Sequence, residues 1–250
     1  MKPKYWLISA IAVFCCATSS LLIASFHYQA IANIPVAPKI HPLPPLLAQL
    51  PDNDQGDYFE LIENTPAGYL VWSQFPIAIY IEPLSETASD PHHSAAQIRT
   101  QQWLQALQTA ISEWQQYFPL ELTESVNSAD ITILRSPVER EIKLDPQTGL
   151  YDIPRAITAQ TSYQFYLSQP EQTLSHKMTL QISPELSPRA TLSAARHELG
   201  HALGIWGHSD RETDALYFSQ VRDTPTISLR DLNTLKKIYQ QPTKLGWQVD

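Results

Sequence analysis

The 250-residue chain is 43% apolar and 17% charged, which suffices for one sizeable domain with appendages. Its two cysteines, Cys15 and Cys16, lie in an apolar leader, so the remainder can form no disulfide and offers no thiolate to a metal. Beyond that leader 15 basic residues stand against 25 acidic ones, a net charge of −10 that argues against nucleic acid or an anionic membrane surface as a partner.

Residues 1–32 open with Lys2 and Lys4, run without charge from Trp6 to Phe26 and end in Ala30-Ile31-Ala32, the pattern of a signal peptide cleaved after Ala32. The apolar run exceeds the usual length of a cleaved signal, so a retained anchor through residues 6–26 is the alternative. In both cases the lysines precede the run, which sends everything after it across the membrane. The working domain is expected to be extracytoplasmic: secreted, periplasmic, or anchored with its bulk outside.

Residues 33–70 read as a proline-rich linker and irregular lead-in. "PVAPKIHPLPPLLAQLP" carries six prolines and no helical period, as in an extended spacer, and "DNDQGDYFELIENTPAGYLVW" follows as an acidic stretch of open structure. The folded domain is expected over 71–250. Its first strand is "FPIAIYIE", Phe75 to Glu82. A long amphipathic helix follows from Ser94 to Tyr117, with Ile98, Leu104, Leu107, Ile111 and Trp114 at three- and four-residue intervals and Pro119 as its stop. Trp103 and Trp114, eleven apart, share its core face.

"ADITIL", Ala129 to Leu134, is a short strand, and 136–156 a long loop. Two strands, 156–167 and 177–183, joined by "SQPEQTLSH", form an antiparallel pair; His176 in that connection is expected to face solvent, as are His92 and His93. Pro188 starts a helix that runs through Leu203 to Gly204, and a last helix spans Ser228 to Gln240.

The stretch "HELGHALGIWGHSD", residues 197–210, concentrates the chemistry. His197 and His201, four apart on a helix, project from one face and can meet one zinc ion, while Glu198 can reach a water on that ion without being a ligand. A catalytic zinc needs a third protein donor. His208 is nearest, provided the backbone turns sharply after His201, and Gly204 can supply that turn. A chain with this many histidines and glutamates would contain HExxH by chance about 0.01 times.

"HELGHALGIWGHS" resembles the extended zinc motif HExxHxxGxxH of the metzincin peptidases, and is most similar to their matrixin branch, the relatives of the matrix metalloproteinases. "IAIYIE", the helix bearing Trp114, "ADITIL", "HKMTLQIS" and "SLRDLNTLKKIY" fall in the order of a matrixin catalytic domain, over roughly residues 71–240. The resemblance implies an α+β metzincin-like zincin fold: a twisted five-stranded mixed sheet with one antiparallel edge strand, two long helices and a C-terminal helix. It also implies a zinc-dependent endopeptidase acting on protein or peptide substrates, with one catalytic Zn2+, His197, His201 and His208 as ligands and Glu198 as general base. A structural Ca2+ is left open, and the working unit is expected to be a monomer.

The chain departs from the family pattern at three places. The third histidine lies eleven positions after the first instead of ten, which keeps Asp210 and Asp214 as alternative third ligands. Tyr217, in "DALYFSQ", stands where the family has a methionine under the metal; it is either an aromatic floor or a hydroxyl turned to the site. No cysteine-bearing propeptide is present, so latency would have to come from elsewhere, for example the segment between Asp52 and Gly68. The alternative function is a weakly active or inactive zinc-binding module of the same fold that recognises peptides.

Overall fold

The computed structural model describes residues 35–83, 94–138, 143–144, 147, 151–152, 157–219 and 221–249. Residues 1–32, expected as a signal peptide or anchor, lie outside them, as do His92 and His93. Among the described residues no helix is long and apolar enough to cross a membrane.

Five strands form the sheet: β1 (Ile77–Ile81), β2 (Leu120–Leu122), β3 (Ile131–Leu134), β6 (Ala159–Ser168) and β7 (Thr173–Ile182). Their order is β2-β1-β3-β7-β6, parallel throughout except for the antiparallel edge strand β6. The architecture is therefore α+β with the mixed five-stranded sheet. β4 (Lys143–Leu144) and β5 (Tyr151–Asp152) pair within the stretch expected as one long loop. β2 was not evident in the sequence because the alternation of Leu120, Glu121 and Leu122 is too short to distinguish from a turn; parallel pairing to β1 is what makes them a strand.

Among the described residues four α-helices accompany the sheet: the single turn α1 (Pro45–Ala48), α2 (Ser94–Trp114), α3 (Pro188–Ala202) and α4 (Leu229–Tyr239). α2 buries Trp103, Leu107, Ala110, Ile111 and Trp114, whereas Ile98, nominally in phase with them, is exposed on its first turns. α2 packs on α3, where the Trp114 indole donates to Arg196 O at 3.0 Å and the Arg196 guanidinium grips the Glu113 carboxylate through two nitrogens. Bidentate charge pairing of this kind fixes the angle between two helices as well as their separation.

Residues 35–51, expected as an extended spacer, and the lead-in to residue 70, whose structure was open, both pack on the domain. Val36, Leu47, Tyr58, Ile62, Ala67 and Leu70 are buried, Leu47 completely. Lys39 exchanges backbone hydrogen bonds with Thr243 at 2.9 and 3.0 Å, and the His41 ring stacks on Trp247 at 4.2 Å. The prolines limit the segment to the single helical turn α1 and the 3-10 turn Phe59–Leu61, but the apolar residues between them find the core and the C-terminal tail. Composition registers the first effect and not the second.

His176 is a second correction. β7 begins at Thr173, earlier than expected, because the two-residue alternation reaches back to Leu174. His176 therefore points inward, 3% exposed, with its ring stacked on Trp72 at 3.9 Å and Nε2 without a partner. Burial alone pushes its pKa from 6.5 down to about 3. The fold thus holds a neutral imidazole where the unfolded chain would take up a proton below pH 6.5, so stability falls as the pH drops from about 6.5 towards 3, by up to about 1.4 kcal/mol per pH unit. His176→Phe, which keeps the stack on Trp72, should lose less of its thermal stability between pH 7 and pH 5 than the native chain; equal losses would show that His176 carries none of the acid sensitivity.

Candidate metal centre

Helix α3 starts where Ser187 caps it, its hydroxyl accepting from Ala190 N–H, with Pro188 at the first position. It places His197 and His201 one turn apart with their Nε2 atoms 3.0 Å from each other. Each Nδ1 faces a backbone carbonyl, Ala215 O at 2.9 Å for His197 and Ile205 O at 2.7 Å for His201. A carbonyl can only accept, so both Nδ1 atoms carry the proton and both Nε2 atoms present bare lone pairs. Two lone pairs at that separation repel unless a cation lies between them, and the donor set therefore fits a metal ion.

His208 completes the group: its ring centroid lies 5.2 Å from that of His197 and 4.9 Å from that of His201, and the three ligand nitrogens all fall within 4.8 Å of one another. Burial drives His201 well below its ordinary pKa, His197 to about 4, and His208 downward also. Three neutral nitrogen donors with no thiolate or carboxylate among them match a zinc site that keeps a fourth position open.

The spacing of eleven is absorbed in the turn after α3. Gly204 N–H donates to His201 O at 3.1 Å and Ile205 N–H to Gly200 O at 3.0 Å, the paired bonds that close a helix on a left-handed glycine. Gly204 has φ +130°, and a Cβ there would stand 2.5 Å from Leu70 O. The same turn delivers Ile205 O to His201 Nδ1, so ending the helix also orients that imidazole. Gly207 then pairs with Ile62, Glu63 N–H donates to Trp206 O at 2.8 Å, and a Cβ on Gly207 would collide with Leu61 O. The lead-in thus braces the loop that carries His208.

Asp210 and Asp214 are turned away from the group. Asp214 is buried against the Ser209 hydroxyl and Arg230, and Asp210 pairs with the same guanidinium at 3.1 Å. Glu198, next to the first histidine, is 6% exposed, and burial raises its carboxyl to about 7 against the opposing pull of a hydrogen bond from Thr161 at 2.7 Å. Beside it opens a cavity of about 710 Å³ lined by His197, Glu198, Ala159, Tyr217, Phe218 and Val221 among others. Tyr217 is half-buried in that wall with its ring against Phe218 at 4.5 Å, while the neighbouring Leu216 is fully buried against Gly200. No residue between Asp52 and Gly68 lines the cavity.

Three residues around the group went unnoticed in the sequence. Thr161 reaches Glu198 from the edge strand. Asp231 accepts from Ala215 N–H at 2.9 Å and Ser228 N–H at 2.8 Å, and so holds the residue whose carbonyl orients His197. Tyr58 donates its phenol to the same carboxylate at 2.6 Å, with its own ionisation suppressed by burial and by the Asp231 charge. Asp231 was recoverable as the third residue of a capping box after Ser228; Thr161 and Tyr58 had no local signal.

The Matrixin family model, that of peptidase family M10, matches residues 90–240. No curated protein matches the chain. With the sheet order, the helix pair and the three-histidine group already in place, the chain belongs to the matrixin family and carries a domain of the zinc-metallopeptidase type.

Proposed function

We propose that the protein is an exported zinc-dependent endopeptidase in which His197, His201 and His208 hold the metal and Glu198 is the general base. The observation that carries this reading is the pair of bare Nε2 atoms on His197 and His201, with His208 beside them and a buried carboxylate at the edge of a large cavity. Zinc held there supplies a Lewis acid that acidifies a water and polarises a peptide carbonyl.

The chain's own residues do the rest. The cavity beside Glu198 receives a substrate side chain. Glu198 takes the proton of the attacking water and returns it to the leaving amine nitrogen; a carboxyl whose pKa lies near neutrality can do both. The two carbonyls on His197 and His201 keep the imidazoles in the tautomer that exposes Nε2. Export is supported by Lys2, Lys4 and the uncharged run that follows, and a protein or peptide substrate by membership of the matrixin family. We take the monomer as the acting unit.

The test is metal content and hydrolysis together. The purified full chain should hold one zinc per molecule and cleave unfolded casein, with cleavage lost on chelation and restored by zinc. A chain that keeps its zinc and cleaves neither casein nor a peptide library would be a binding module instead.

A further inference from the structure

The edge strand β6 alternates exposed side chains with half-buried ones, Ala159, Tyr163 and Phe165 among them packing against the core. Thr161 is its one buried position, 8% exposed and in register with Leu180 of β7. From there the hydroxyl reaches α3, 2.7 Å from Glu198 Oε2 and 3.1 Å from Glu198 O. A buried threonine needs one acceptor, and the backbone carbonyl alone would satisfy it. The shorter contact goes instead to the carboxylate, a charge-assisted bond stronger than one to a carbonyl. Among the described residues Thr161 is the only side-chain partner of that carboxylate.

We propose that Thr161 is a positioning residue for Glu198: its hydroxyl ties down Oε2, fixes the carboxylate plane and leaves Oε1 as the oxygen that takes and returns the proton. The β-branched side chain suits the task, because a threonine in a strand has few χ1 states and delivers its hydroxyl in one direction. The backbone of Glu198 is already rigid within α3. What remains free is the side chain's torsions, and proton transfer is sensitive to them because the base must lie within hydrogen-bond reach of the water it deprotonates. One hydroxyl from the sheet restrains those torsions without adding a charge beside the metal.

The proposal rests on Glu198 as the proton carrier, so the experiment includes Glu198→Gln as its reference. In the full-length protein, Thr161→Val should lower kcat about 10- to 100-fold while KM stays within about twofold and zinc content is unchanged. Thr161→Ser and Thr161→Ala form a second pair that differs only in the hydroxyl; the serine variant should recover kcat to within about threefold of the native value and the alanine variant should not. A purely structural threonine would shift the melting temperature of all three variants and leave kcat alone. The proposal is overturned if Thr161→Val turns over at the native rate, or if serine is as slow as alanine. Should Glu198→Gln itself retain full turnover, the general-base reading fails; a dead Glu198→Gln beside a fully active Thr161→Val removes the positioning role only.

Discussion

Replacing Glu198 by glutamine is expected to leave one zinc per chain and to reduce peptide hydrolysis by about 100- to 10,000-fold, the range that positioned proton transfer contributes. Glutamine matches glutamate in shape, can still accept from Thr161 through its amide oxygen, and leaves the three histidines and their carbonyl partners untouched. What it lacks is a site that can bind and release a proton near neutral pH. Metal content by elemental analysis and kcat/KM on a peptide separate these properties. Turnover within tenfold of the native rate would remove Glu198 from the mechanism; loss of zinc would mean that the carboxylate supports the metal site instead.

The largest effect on stability should come from Gly204→Ala. Two costs coincide there: φ is +130°, a region that residues with a Cβ rarely adopt, and the new methyl would lie 2.5 Å from Leu70 O, a backbone atom that cannot swing aside. The expected loss is about 3 kcal/mol, together with weaker zinc retention because Ile205 O leaves His201 Nδ1 when the turn opens. Gly56 is the internal control: it also has positive φ, +76°, but nothing lies within 4 Å of its missing Cβ, so Gly56→Ala should cost only about 1 kcal/mol. Denaturant midpoints measure both. Equal losses at the two positions would mean that the approach of Leu70 is irrelevant.

The contrast between those glycines also shows what could be read in advance. The need for a turn at Gly204 follows from HExxHxxG alone, because a straight helix would carry its later residues past the metal. The role of Leu70 does not, since it approaches from 134 positions away in the chain. The same division runs through the whole molecule. Helix α2, helix α3 and the inner strands are local patterns of period 3.6 or 2, and they were legible. His197, Glu198 and His201 were legible because a single helix presents all three.

The third donor was not settled by spacing. By spacing His208, Asp210 and Asp214 stay open; in the structure His208 lies with His197 and His201, while Arg230 of helix α4 pairs with both carboxylates. Thr161 and Tyr58 act across separations of 37 and 173 residues, where no window of sequence can hold both partners. His176 failed differently: the alternation that buries it was present, but a proline and polar neighbours suggested a turn longer than the one that forms.

The bracing of Gly207 by Ile62, and of Asp231 by Tyr58, bears on how such a protein could be governed. In a precursor held silent by its own front end, cutting that end away exposes a finished site. Here the stretch from Asp52 to Gly68 stands outside the cavity and behind the loop that carries His208. A processing cut that released it would take the strut from under the metal loop and the phenol from Asp231. Trimming there would weaken the support of the loop that carries His208 without uncovering the cavity.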